Sequence, residues 1–302
     1  MSGGGASHGT GFGAPGFGVR LRQAMAARGP LCVGIDPHPA LLAGWGLPDD
    51  TGGLERFALG TVEALGEMVA VLKPQSAFFE RHGSAGVAVL ERVIRSCADA
   101  GALSIVDAKR GDIGSTMAAY ADAYAGAGSP LAGDAVTASS YLGFGALRPL
   151  LDAAAVTSRG VFVLALTSNP EGAAIQLARL PDGRTVAQAV VDAAAAENAG
   201  ADEAGSVGVV VGMTSGALRD SDQNHDRPEP PLDLSLLAGP VLAPGLGAQG
   251  GSPADLRRAF GATARDVLAS TSREVLAAGP SPAALREAAR RTLDQVLAAV
   301  TG

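Results

Sequence analysis

Lysine is almost missing from this chain. Of its 23 basic residues only Lys73 and Lys109 are lysines, and the rest are arginines. Its richness in Gly, Ala and Arg points to a coding bias that exchanges lysine for arginine wherever charge alone matters. An arginine cannot release a proton near neutral pH, whereas a lysine ammonium can. Two lysines kept against that background are candidates for chemistry.

Other scarcities exclude whole classes. Aromatic residues make up 4% of the chain, so the core must be built from Ala, Val and Leu. Two cysteines, Cys32 and Cys97, cannot form a disulfide framework. Both sit in apolar surroundings and read as buried and reduced, which points to a cytoplasmic protein. No stretch approaches the ~18 consecutive apolar residues of a membrane helix. The N-terminus does not follow the charged-then-apolar plan of a secretion signal. Positive charge is in deficit, with a net charge of -7. A general nucleic-acid binder would show a basic excess, so neither nucleic acid nor membrane is an expected partner.

Much else is present. At 302 residues and 47% hydrophobic, the chain can fill a large core. Residues 1–18 are Gly-rich and read as a disordered tail, which leaves residues 19–302 as one domain. In that domain strand-like apolar runs alternate with helical patterns. The runs are 31–37, 69–75, 102–109, 134–140, 160–168, 207–214, 240–247 and 265–272. Near-continuous apolar strands suit a parallel sheet covered on both faces. About eight strand–helix units in ~270 residues predict an α/β fold of the (β/α)8 TIM-barrel type, with an open doubly wound sheet as the alternative. In the segment 84–101, Leu90, Val93, Ile94 and Cys97 share one helical face, and Gly101 is the stop. Ser281 and Pro282 suit the start of a final helix. The polar, proline-rich stretch 219–233 reads as a loop in the sixth unit.

A barrel carries its active site at the C-terminal ends of its strands, so polar residues there stand out. Strand one ends in Asp36 and strand two in Lys73. Strand three ends in Asp107 and Lys109, which share a face if the strand is regular. Arg110 would point away as a bystander, and Asp112 lies in the following turn. Strand five ends in Thr167, Ser168 and Asn169. The glycine-rich "GLGAQGG" after strand seven, with Gln249, and Arg273 after strand eight together suggest a phosphate cradle. Plainer readings exist for each: a turn at Asp36-Pro37, a solvated Lys73, a structural Asp107–Lys109 ion pair, and a Ser168 that only satisfies loop backbone.

The pattern Asp-x-Lys-x-x-Asp-Ile, here Asp107, Lys109, Asp112 and Ile113, resembles the signature of the orotidine 5'-phosphate decarboxylase family. "LTSNPEG", "APGLGAQGG" and "STSREVLAAG" are similar to that family's later segments. The resemblance runs from about residue 19 to the C-terminus and is closest to the longer bacterial branch. It implies a homodimeric barrel that converts orotidine 5'-monophosphate to UMP and carbon dioxide, the last step of UMP synthesis. It also implies no metal and no organic cofactor. By match, Lys73, Asp107, Lys109 and Asp112 form a charged array, and Asp112, Ile113 and Thr116 are supplied to the neighbouring subunit's site. Asp36 would hold the ribose, Ser168 the pyrimidine (with Thr167 and Asn169 as alternatives), and Gln249 with Arg273 the phosphate. The loop before residue 240 departs from the family in length. Related barrels with Asp-x-Lys-x-x-Asp use Mg²⁺ and carry a further acid near the end of strand two, where this chain has Lys73. A Schiff-base aldolase with Lys109 as nucleophile would need a depressed lysine pKa. A non-catalytic nucleotide-binding barrel would not need the charged array.

Overall fold

The computed structural model describes residues 15–201, 203–213, 232–247 and 253–301. Eight parallel strands close into a barrel in chain order. They are β1 (Leu31–Ile35), β2 (Val71–Pro74), β3 (Leu103–Arg110), β4 (Ala135–Ala138), β5 (Gly160–Leu166), β6 (Val207–Val211), β7 (Val241–Pro244) and β8 (Val267–Thr271). Each lies inside one of the apolar runs or reaches one residue past it. The runs overshoot because their last residues turn into the loops that bear the polar groups. β1 pairs with both β2 and β8, which closes the ring.

Two cores share the strands. The inner one takes Cys32, Val71, Ile105, Ala135, Phe162, Val210, Leu242 and Leu268, one from each strand in turn. The barrel is therefore a packed layer and not a pore. The outer core joins the strands to the helices. The helix Gly83–Asp99 contributes Val89, Leu90, Val93, Ile94 and Cys97 to it, the face expected from the 3.6-residue period. Each such buried aliphatic side chain contributes about 1.5–3 kcal/mol. The last helix, Pro282–Thr301, begins at the expected proline.

The N-terminal helix, Phe17–Arg28, stoppers the barrel at its base. Phe17 and Leu21 enter the inner core. Phe17 meets Phe162 edge-on at 5.8 Å between ring centres. Gly160 makes room, since a Cβ there would lie 2.2 Å from the Phe17 ring. Arginines fasten this helix down. Arg20 pairs with Asp134 and donates to the Ser158 carbonyl at 3.0 Å. Arg28 donates to the carbonyls of Gly66, Val69 and Gly101. Phe17 and Gly18, expected in the tail, thus belong to the fold. A glycine-rich flank hides this one fully buried phenylalanine. Residues 1–14, and most of the 219–233 loop, lie outside the described residues. Among the described residues no helix is long and apolar enough to cross a membrane.

Candidate active site

The period of two that fills the barrel also builds its mouth. Two residues beyond the inner-core positions come Gly34, Lys73, Asp107, Thr137, Leu164 and Ser270. All six line one cavity of about 390 Å³. Side chains alternate along a strand, so in these strands the residue two beyond the inward core residue is aimed into this space. Gly34 keeps the wall open between Asp36 and Ser272, since a Cβ there would come within 3.1 Å of the Ser272 side chain and 3.2 Å of the Asp36 carboxylate.

Asp107 is the hub. Its Oδ2 accepts from Lys73 Nζ at 2.8 Å and Gln75 Nε2 at 3.0 Å. Its Oδ1 accepts from Lys109 Nζ at 2.5 Å and Thr137 Oγ1 at 2.8 Å. The side chains of Asp107 and Lys73 are each 8% exposed, while that of Lys109 is 44% exposed. Burial by itself would raise the Asp107 carboxyl, but the two ammonium groups outweigh it and hold the carboxyl well below the usual carboxylate range. Burial would likewise lower Lys73, but Asp107 and Asp36 outweigh it and hold Lys73 above an ordinary lysine. Asp107 and Lys73 are therefore both ionised at neutral pH, and the pair is fixed in place. Beneath it Cys32 is inert, because burial pushes its thiol up to about 12.

Lys109 reaches Asp107 by a route other than the one expected. β3 is not regular here: its register against β4 shifts between Val106 and Arg110. Lys109 takes a left-handed backbone, φ 48°. For a side chain other than glycine this costs about 1–2 kcal/mol. Its N–H donates to Thr137 Oγ1 at 2.9 Å. Arg110 turns outward, as expected, but it is no bystander. Its guanidinium bonds Glu80, the Tyr124 hydroxyl and the Ala108 carbonyl.

The remaining expected residues fall into three groups. Asp36 and Arg273 line the cavity, and so do Thr167, Ser168 and Asn169. Asp36 Oδ1 is buried and has no hydrogen-bond partner among the described residues. The Thr167 hydroxyl is engaged with Asn169 and Gln176, and the Asn169 amide with Glu171. Asp112, Ile113 and Thr116 follow β3 and do not line the cavity. Asp112 bonds its neighbour's N–H, that of Ile113, at 2.8 Å. Gln249 lies outside the described residues. Sequence reasoning missed Gln75, Thr137 and His38. The first two stand two residues past Lys73 and Ala135, so the same period would have found them. His38 lines the cavity and packs edge-on against Phe78 at 4.2 Å between ring centres.

The family of orotidine 5'-phosphate decarboxylases and related HUMPS enzymes matches residues 29–288, which span the barrel from β1 to the last helix. The chain belongs to this family. An orotidine 5'-phosphate decarboxylase from Salinispora arenicola is 62% identical over 286 residues, 95% of this chain and 99% of that protein. Its counterpart from Streptomyces coelicolor is 55% identical over 285 residues, 94% of this chain and 98% of that one. Among solved structures, one from Streptomyces avermitilis is 55% identical with a TM-score of 0.89, covering 98% of this chain and 100% of that chain. The OMP decarboxylase of Leishmania donovani is 30% identical with a TM-score of 0.72, covering 95% and 99%. The orotidine 5'-phosphate decarboxylase family thus spans nearly the whole described barrel. The Lys73–Asp107–Lys109 array stands where such a barrel keeps its chemistry.

Proposed function

We propose that the cavity binds orotidine 5'-monophosphate and that the array converts it to UMP and carbon dioxide, the last step of UMP synthesis. The observation that carries this reading is a buried carboxylate held between two ammonium groups, one buried and one open to the cavity.

Loss of carbon dioxide from ring carbon 6 leaves an electron pair in the plane of the ring, where the π system cannot delocalise it. A fixed cation beside that carbon stabilises the pair and can then protonate it. Lys109 is that cation: its ammonium is the more exposed of the two and is held on Asp107. The C6–carboxylate bond breaks, carbon dioxide leaves, and an Lys109 N–H proton moves to C6. Water returns a proton to the lysine afterwards. Lys73 is the second ammonium that keeps Asp107 ionised. Asp107 faces the departing carboxylate.

The other groups orient the substrate. The unpartnered Asp36 Oδ1 is a ready acceptor for a ribose hydroxyl. Ser168 contacts the pyrimidine. Arg273 after β8, with Gln249, grips the phosphate. Binding energy gained there lowers the barrier where it is realised mainly in the transition state. The enzyme acts as a cytoplasmic homodimer. Ile113, Tyr141 and Leu142, on loops after the adjacent strands β3 and β4, are 61%, 76% and 53% exposed. Exposed apolar side chains on neighbouring loops suit a partner subunit, which would receive Asp112, Ile113 and Thr116 at its own site. Lys73 argues against the Mg²⁺ variant of this barrel, because its ammonium occupies the Asp107 carboxylate and would repel a cation. Nothing in this chemistry calls for a Schiff base, since Lys109 acts as a cation and proton donor and not as a nucleophile.

The test is direct. Mixed with orotidine 5'-monophosphate, the protein should bleach its ultraviolet absorbance and yield UMP, and the Lys109→Ala variant should not. Near-normal turnover by that variant would remove the mechanism.

A further inference from the structure

The peptide group joining Ala108 to Lys109 is held at both ends, from opposite sides of the barrel wall. Its N–H donates inward to Thr137 Oγ1 at 2.9 Å. Its carbonyl accepts from Arg110 Nη1 at 3.1 Å on the outer side. That peptide precedes the one residue of β3 with a left-handed backbone, Lys109. An unusual backbone conformation of this kind persists only where its surroundings over-determine it.

Arg110 is itself firmly gripped. Its guanidinium donates to the Glu80 carboxylate and to the Tyr124 hydroxyl at 3.1 Å. It lies 5.6 Å and 5.4 Å from the ring centres of Tyr120 and Tyr124. Glu80 in turn accepts the Ser76 hydroxyl at 2.5 Å. Ser76 opens the short helix Ser76–Glu80, two residues after Pro74 ends β2. Tyr120 and Tyr124 belong to the helix Gly114–Ala125, which follows β3. One guanidinium therefore ties the segment after Lys73 and the helix after Asp112 to the peptide before Lys109. A salt bridge kept only for stability would not need the carbonyl contact. A point-like ammonium could not span carbonyl, carboxylate and hydroxyl together, whereas a planar fork can.

We propose that Arg110 is a positioning residue for Lys109. It locks the Ala108–Lys109 peptide from outside the barrel and so keeps the Lys109 ammonium on Asp107. The inference rests on the reading of Lys109 as the proton donor. Nothing in it requires Arg110 to touch substrate.

The test compares Arg110→Gln, Arg110→Lys, Glu80→Gln and Thr137→Val with the parent enzyme and with Lys109→Ala. In Arg110→Gln, kcat should fall by about ten- to a hundredfold, the range expected for a small misplacement of a catalytic group. KM should stay within about threefold, since substrate contacts are untouched. Arg110→Lys should fail to rescue. Arg110→Gln combined with Thr137→Val should lose less than the product of the single losses, because both act on one peptide. Glu80→Gln keeps Arg110 but weakens its anchor. It should lower kcat by a smaller factor at unchanged KM, and it serves if the Arg110 variants do not fold. Parental kcat in Arg110→Gln, full rescue by lysine, or a loss that appears only in KM would overturn the proposal. If Lys109→Ala is dead while Arg110→Gln and Glu80→Gln turn over normally, this inference alone fails. If Lys109→Ala turns over, the mechanism beneath it fails.

Discussion

Thr137 donates its hydroxyl proton to Asp107 at 2.8 Å, and the same oxygen accepts the N–H of Lys109 at 2.9 Å. One neutral side chain on β4 thereby fixes both an acid and the backbone of its basic neighbour. Thr137→Val keeps the shape and removes both bonds. A buried group left without its partner costs about 1–3 kcal/mol. Steady-state kinetics should show kcat down by about ten- to a hundredfold, and Thr137→Ser should restore most of it.

Removing the hub should cost stability as well as activity. Asp107→Ala leaves Lys73 buried without its hydrogen-bonded ion-pair partner, with only the Asp36 charge nearby. Breaking a buried pair in this way destabilises by about 3–5 kcal/mol. Urea unfolding should show that loss, whereas Lys73→Met with Asp107→Leu, which removes both charges, should recover much of it. A fully stable Asp107→Ala variant would mean the pair carries no such burden.

The pH dependence of stability follows from the two shifts. Asp107 is lowered in the folded state. Its contribution is present above the ordinary carboxylate pKa and is lost as pH falls below it, toward the folded value. Lys73 is raised. Its contribution is present below the ordinary lysine pKa and is lost only as pH climbs above it. Between these limits the pair should add no slope. Thermal melts of Asp107→Asn against the parent should therefore differ by a constant amount across neutral pH, with the gap narrowing in acid below the ordinary carboxylate pKa and again in base above the ordinary lysine pKa.

Mixing two dead variants tests the shared site. Lys109→Ala and Asp112→Asn place their defects on different subunits of each site if Asp112 serves the partner. A random heterodimer then contains one intact site, and activity should return to about a quarter of the parental value. No recovery after verified subunit exchange would return Asp112 to its own subunit or to no role.

The barrel and much of its mouth were legible because one rule, alternation along a strand, governs both. Val71 and Lys73 obey it, as do Ile105 and Asp107. Thr137 and Gln75 obey it too, yet neutral polar residues are common at strand ends and carry no charge to single them out. The position of Lys109 was reached for an incomplete reason. Alternation alone expects a regular strand, whereas a register shift and a φ of 48° accompany the contact of its ammonium with Asp107. No local pattern announces that shift, because Thr137 reaches Lys109 from the neighbouring strand and Arg110 grips the preceding carbonyl from the outer face. Arg110 looked idle because an outward-facing arginine in an arginine-rich chain resembles any other. Phe17 shows the same limit at the base of the fold, where a contact with Phe162 outweighs a glycine-rich context.

The unequal exposure of the two lysines bears on how this enzyme can be handled. Of the two lysines, Lys109 is the accessible target for any reagent that acylates amines, since its side chain is 44% exposed and that of Lys73 is 8% exposed. Coupling to a resin or dye through lysine is thus equivalent to titrating the active site. Substrate or product should shield that single side chain, and attachment chemistry that spares activity has to go through carboxylates or an added tag.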